Sequence, residues 1–228
     1  MRGKREGRPA EPGGPRRESR VRRPGEASVS KGASRPAERF ASAPASVRII
    51  GGQWKRTPLA VVDAPGLRPS PDRVRETVFN WLAHFMPDLS SATGLDLFAG
   101  TGALGFELAS RGAARVTLVE RNPALEAQLQ RLKRKLGADT VTIVRGDALA
   151  FAGEARERSF DVVFLDPPFG SDLLEPALRA AAKLVPAEGL VYAESGAPLD
   201  GDVAAACGLR IVRAGRAGQV HFHLLQRA

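Results

Sequence analysis

From residue 90 onward the apolar positions fall into short runs, separated by longer stretches whose apolar residues recur at helical spacing. GLDLFA reads as a buried strand, followed by a glycine turn and a helix from Ala103 to about Arg111. RVTLVE is a second strand and Pro123 to Leu136 a second helix. VTIVRGD and FDVVFLD are the third and fourth strands, with a helix near 172–184 after the fourth, and GLVYAES is the fifth. Leu209–Val212 and Gln219–Gln226 close the pattern as two further strands. Strands that alternate with helices predict a parallel sheet covered on both faces. The last two are joined by GRAG, too short for a parallel crossover, so they form an antiparallel hairpin. The expected fold is α/β: a mostly parallel, seven-stranded, doubly wound Rossmann-like sheet with a reversed C-terminal hairpin, spanning 91–228.

Ahead of this sheet, 47–90 reads as a small extension. VRIIGGQWKRTPLAVV has two apolar runs around Gly-Gly and a basic turn, the pattern of a β-hairpin. Val74, Val78, Phe79, Leu82 and Phe85 recur at helical spacing, so a helix is expected from about 72 to 86, capped by Asp72 or Ser70 and ended before Pro87.

Composition changes this picture at the N-terminus. Residues 1–46 hold twelve Lys/Arg against five Asp/Glu, so they carry +7 of the formal +9. With six Gly, six Pro and Phe40 as sole aromatic residue, this segment lacks the apolar surface to offset ordering entropy and is expected to be disordered. As an electrostatic arm it suits a polyanion such as RNA. A single cysteine, Cys207, and three histidines (His84, His221, His223) argue against a disulfide framework and a metal site. No run approaches the roughly 18 apolar residues of a bilayer span. The N-terminus also lacks an apolar signal core, so the expectation is a soluble cytoplasmic protein.

In open α/β sheets, ligands bind beyond the carboxyl ends of the strands. After the first strand, DLFAGTGALG contains Asp96, Phe98 and the Gly100, Gly102, Gly105 pattern of a dinucleotide turn. Glu120 ends the second strand, where an acid accepts ribose hydroxyls; NAD and S-adenosylmethionine both present such a ribose. After the third strand, Asp147 suits the adenine amino group and Ala148 the adenine ring, while Asp147 is equally placed to cap the next helix. After the fourth comes LDPPFG. An acid, two prolines and an aromatic at a strand end form a rigid, extended lip. Its chemistry suits methylation of an exocyclic base amine. The Asp166 carboxylate and Pro167 carbonyl accept the amine N–H groups, concentrating charge on nitrogen, and Phe169 stacks on the base.

DLFAGTGALG together with DPPF resembles the class I S-adenosylmethionine-dependent methyltransferases that act on base amino groups. RIIGGQWKRTPL, GLRPSPDRVRETVFNWL and GQVHFHLLQR are similar to the RsmD family, from about Val47 to the C-terminus. The resemblance implies methylation of a guanine N2 in 16S rRNA, with the assembled small subunit as partner, no metal and no membrane; a monomer is expected. It implies Asp166, Pro167 and Phe169 as catalytic lip, and Asp96, Phe98, Gly100, Gly102, Glu120, Asp147 and Ala148 as cofactor site. Arg68, Arg73, Arg75 and Glu76 fall in the family's pre-domain motif. Arg75 is set to face the cofactor's methionine carboxylate or RNA phosphate; Arg48, Lys55 and Arg56 are phosphate contacts on the hairpin. Competing readings are an NAD-dependent oxidoreductase, methylation of adenine N6 in DNA or RNA or of protein glutamine, and a ribosome-assembly binding module.

Overall fold

The computed structural model describes residues 47–60 and 70–228, all within the unit Ala41–Ala228. The basic segment 1–46 and Arg68 lie outside the described residues.

Two two-residue strands, β1 (Val47–Arg48) and β2 (Pro58–Leu59), pair antiparallel as the expected hairpin. Helix α1 spans Asp72–Phe85 and buries Val74, Arg75, Val78, Phe79 and Leu82. Its cap differs from expectation. Pro71 occupies the cap position with no side-chain bond, because Asp72 turns to Arg75 and Arg48, and Ser70 donates to Glu194.

The remaining elements are β3 (Thr93–Asp96), α2 (Ala103–Ser110), β4 (Arg115–Glu120), α3 (Pro123–Leu136), β5 (Val141–Arg145), α4 (Ala148–Glu154), β6 (Val162–Leu165), α5 (Leu174–Leu184), β7 (Leu190–Ser195), α6 (Gly201–Ala206), β8 (Leu209–Ala217) and β9 (Val220–Arg227). Helix α3 has clear local stops. Asn122 accepts from the N–H groups of Ala124 and Leu125, Pro123 opens the helix, and Gly137 closes it at φ 58°. Lys133, Arg134 and Lys135 in its last turn complement the helix dipole.

Seven strands form one sheet in the order β5-β4-β3-β6-β7-β9-β8, with β9 running opposite to the other six. The order reverses between β3 and β6, which opens a crevice at their carboxyl ends. One core cluster joins Val47, Ile49, Leu59, Val78, Phe79 and Leu82 to Leu118, Phe164, Tyr192 and Leu224 of the sheet. The extension 47–90 therefore shares a core with the sheet.

Strand β8 is longer than the expected Leu209–Val212. A register shift falls between Ile211 and Arg213, and Gly215, Arg216 and Ala217 of GRAG stay in the ladder. Gly215 admits the Phe222 ring, since a Cβ there would lie 2.4 Å from the ring's Cζ. The turn contracts to Gly218 and Gln219, with Gly218 at φ 64°.

Candidate active site

The crevice is built from strand ends. Phe164 and Tyr192 lie in the core cluster that α1 covers, and side chains two residues further along a strand point the same way. Asp166 follows Phe164 by two positions, and Glu194 follows Tyr192 by two. Parallel registers pair Asp96 with Phe164, and Leu165 with Ala193. Asp96, Asp166 and Glu194 thus end three adjacent strands on one face of the sheet.

The turn after β3 is fixed from within. Gly100 and Gly102 have φ of 53° and 79°, values that side-chain-bearing residues rarely adopt. A Cβ on Gly102 would lie 2.6 Å from Phe106 and 2.7 Å from Leu129, so close packing demands this glycine as well. Gly105 has a third role: its N–H donates to Asp96 Oδ2 at 3.0 Å, and a Cβ would meet Leu118 at 2.7 Å. Asp96 lies beneath the turn, where burial raises its carboxyl to about 7, against bonds from the Gly105 and Phe98 N–H groups. Phe98 itself is half-buried, packed on the α5-side core.

Glu120 is buried. Its Oε2 accepts from Gly100 N–H at 2.9 Å and Oε1 from Asn122 N–H at 2.7 Å. These bonds hold the carboxylate between the two turns, and each oxygen keeps a further lone pair for a diol. Asp147 caps α4: Oδ1 accepts from both Leu149 and Ala150 at 3.0 Å. Ala148, buried, opens that helix, so its N–H has no intrahelical acceptor.

On the lip, Asp166 is half-buried, Pro167 buried and Pro168 exposed. Burial, then the charges of Glu194 and Asp96, push the Asp166 carboxyl well above the usual carboxylate range. Ser171 donates to the Pro168 carbonyl from both N–H (3.2 Å) and Oγ (2.6 Å), and Gly170 turns the chain at φ 77°. Among the described residues the Pro167 carbonyl accepts no hydrogen bond. Phe169 is 42% exposed, unusual for a large apolar side chain and apt for stacking.

The expected RNA contacts separate. Arg75 is a correction: it is fully buried. Its guanidinium bonds Asp72 (2.6 Å), the Arg48 carbonyl (2.8 Å) and the Ser70 carbonyl (3.3 Å), and lies 3.8 Å from Glu107. An arginine so enclosed ties the hairpin to α1 and does not reach phosphate; burial lowers its pKa against the pull of Asp72 and Glu107. Arg48 is exposed and paired with Asp72 at 3.0 Å. Arg73 is exposed on α1. Lys55 and Arg56 are exposed on the hairpin loop, which docks on the far end of α2. There the Gln53 N–H caps the Ser110 carbonyl (2.8 Å), and Ser110 Oγ joins Trp54 N–H and the Gly51 carbonyl. That end of α2 is about one helix length, roughly 12 Å, from the glycine turn.

Three residues of the crevice escaped the sequence reading: Ser70, Tyr192 and Glu194. Glu194, buried, accepts from the hydroxyls of Ser70 and Tyr192 (2.8 Å for the latter). The acid closing GLVYAES is the signal: inspecting the fifth strand end like the first four would have found Glu194.

A Rossmann-like sheet of this order, with a glycine turn after its first parallel strand and an Asp-Pro-Pro-Phe lip after its fourth, defines a methyltransferase. Residues 47–226 match the family model described as Conserved hypothetical protein 95. The chain belongs to this family, the RsmD family of methyltransferases. It is 42% identical over 183 residues to Ribosomal RNA small subunit methyltransferase D of Escherichia coli, covering 79% of this chain and 90% of that protein. The Haemophilus influenzae protein of the same name is 41% identical over 140 residues, covering 60% and 71%. Among solved structures, yhhF from Escherichia coli has a TM-score of 0.67 at 40% identity, covering 80% of this chain and 98% of that one. A Thermus thermophilus structure follows at 0.66 and 30%, covering 79% and 99%.

Proposed function

We propose that the chain methylates the exocyclic N2 of a guanine in 16S rRNA, with S-adenosylmethionine as methyl donor and the small ribosomal subunit as substrate particle. One observation carries this reading: Asp166, the Pro167 carbonyl (which accepts no hydrogen bond among the described residues) and the exposed Phe169 follow β6, next to the strand β3 that leads into the Gly100–Gly102 turn. Relatives named as small-subunit rRNA methyltransferases support the RNA substrate.

The residues present fit the donor. Glu120 offers lone pairs to its ribose, Asp147 keeps Oδ2 clear of its capping bonds, and the Ala148 N–H is available to adenine. When bound, S-adenosylmethionine supplies a methyl group on a positively charged sulfur. The protein's part is to make a poor nucleophile adequate. A guanine N2 lone pair is delocalised into the ring; Asp166 and the Pro167 carbonyl accept its N–H bonds and localise that pair on nitrogen. Phe169 holds the unstacked base, worth roughly 1–3 kcal/mol. Orientation of the bound pair supplies much of the remaining acceleration. The target must leave its helical stack to reach the lip, which favours a loop or a flipped nucleotide.

The test is incubation of the protein with labelled donor and small subunits from cells lacking it, followed by mapping of the modified nucleotide. Label on a guanine N2, lost in Asp166→Ala, is the expected result. Label on adenine N6 or on protein would overturn the acceptor, and retention of NADH in place of the donor would overturn the reaction class.

A further inference from the structure

We propose that the tip of the β8–β9 hairpin is a phosphate grip for the RNA substrate: Arg216, flanked by Gln219 and His221, holds the RNA backbone beside the nucleotide presented to the lip. This deepens, and rests on, the reading of the crevice as an RNA methylation site.

The carboxyl ends of the parallel strands carry Asp96, Glu120, Asp147, Asp166 and Glu194. Carboxyl groups offer no attraction to a chain of phosphates, so the positive charge that holds RNA over this crevice must come from its margins. Arg75 is enclosed, Arg48 is paired with Asp72, and the loop of Lys55 and Arg56 docks on the far end of α2. Arg121 and Arg145 are exposed at the ends of β4 and β5, on the side proposed for the donor. On the other side of the lip, Arg216 is exposed towards the end of β8.

Because β9 runs opposite to the other strands, its turn with β8 lies at the carboxyl end of the parallel strands, as the lip does. Register fixes the level. Leu165 pairs with Ala193, Ala193 with His223, and His223 with Ala214. Two residues further on, Ser195 pairs with His221, and His221 with Arg216. Asp166, one residue beyond Leu165, is therefore level with Arg216 to within one residue. From β6 to β8 are three strand spacings, about 14 Å. Phosphates next to a nucleotide unstacked into the lip fall within that range.

Arg216 is set for an anion. Its Nε donates to the Gly218 carbonyl at 2.9 Å, which fixes the guanidinium, and its two terminal amino groups have no partner among the described residues. The other arginines of the hairpin are engaged: Arg210 donates to Gln226, Arg227 to the Val185 carbonyl at 3.2 Å, and Arg213 lies over the Phe85 ring at 5.2 Å. No acidic side chain follows Asp202 in the sequence to compete for Arg216. A planar guanidinium with free donors matches a phosphate at two points. Gln219 is exposed at the turn, and the half-buried His221 ring makes no hydrogen bond among the described residues. Charge on an edge strand also deters pairing with another chain. That role asks for neither a fixed guanidinium nor a place at the lip's end of the sheet.

The test uses the full chain, with binding to small subunits followed by sedimentation over a salt series and methylation followed with labelled donor. Arg216→Gln should weaken binding and raise the KM for subunits roughly fivefold. The slope of log affinity against log salt should shrink by about 0.7–0.9, the share of one phosphate contact. Its kcat at saturation, and its donor affinity by calorimetry, should stay within twofold of the parent. Arg210→Gln removes the same charge from the other end of β8 and should keep the parent slope. Arg216→Lys retains the charge without the Nε bond and should also keep the slope. An Arg216→Gln slope equal to that of Arg210→Gln would overturn the inference. So would an Arg216→Lys defect as large as that of Arg216→Gln, which would trace the effect to the turn. A parent chain that binds subunits through Arg216 yet methylates another acceptor would instead overturn the proposed acceptor and leave the grip in place.

Discussion

At the scale of single residues, two side chains give direct predictions. Burial lifts the Asp96 carboxyl from 3.8 to about 7 in the folded protein. The unfolded chain gives up this proton near 3.8, so between the two values only the folded state retains it. Stability from Asp96 is therefore complete below 3.8 and is lost as pH rises through 7. Asp96→Asn should melt above the parent at pH 8, by up to about 4 kcal/mol, and the difference should close near pH 4. Thermal unfolding across that range measures it. Phe169 is exposed, so Phe169→Ala should leave the melting temperature unchanged. Its kcat/KM for the RNA substrate should drop between about fivefold and a hundredfold, the equivalent of roughly 1–3 kcal/mol of lost stacking. An unchanged kcat/KM would remove Phe169 from the site.

Among the elements, the N-terminal hairpin is held to α2 by a small set of polar contacts. Ser110 Oγ accepts from Trp54 N–H at 3.0 Å and donates to the Gly51 carbonyl at 2.6 Å. Gly52 packs where a Cβ would fall 1.8 Å from the Ser110 carbonyl oxygen. Ser110→Ala leaves both partners without that hydroxyl and should cost about 1–3 kcal/mol. Faster hydrogen exchange at Trp54 than in the parent would show that the loss is local. Gly102→Ala should be more damaging to binding than to folding. It forces a left-handed residue, about 1–2 kcal/mol, and displaces Phe106 at the turn proposed to hold the donor. Calorimetry should find donor affinity lost while the circular dichroism spectrum persists. The limits of these elements were legible where local chemistry sets them. Helix α3 runs Pro123–Leu136 as expected because Asn122, Pro123 and Gly137 are all local signals. Helix α1 starts at Asp72 as expected, but its cap was not legible, because Asp72 and Ser70 have long-range partners, Arg48 and Glu194, which no window of sequence contains.

For the whole molecule, charge and distance decide how RNA is met. The chain carries +9 formally, of which +7 lies in residues 1–46. Binding to small-subunit RNA should therefore weaken with salt, with a slope of about −0.7 per phosphate neutralised on single strands. Lys55→Gln with Arg56→Gln should reduce that slope and leave kcat at saturation unchanged, since both lie at the far end of α2 from the glycine turn. A fall in kcat would place the hairpin loop nearer the chemistry than the structure does. The sequence by itself determined the order of strands and helices, the reversed last strand, the glycine turn and the Asp-Pro-Pro-Phe lip. Each of these is written in periodicity, turn residues or a contiguous motif, which depend on neighbours along the chain. Only the tertiary structure decided that Arg75 is an internal tie, that the loop of Lys55 and Arg56 docks on the far end of α2, and that Ser70, Tyr192 and Glu194 converge beside Asp166. The physical reason is the same for all three. An arginine, a lysine and a glutamate look alike in sequence whether solvated or enclosed, and only packing between distant elements takes water away from one and leaves it on another.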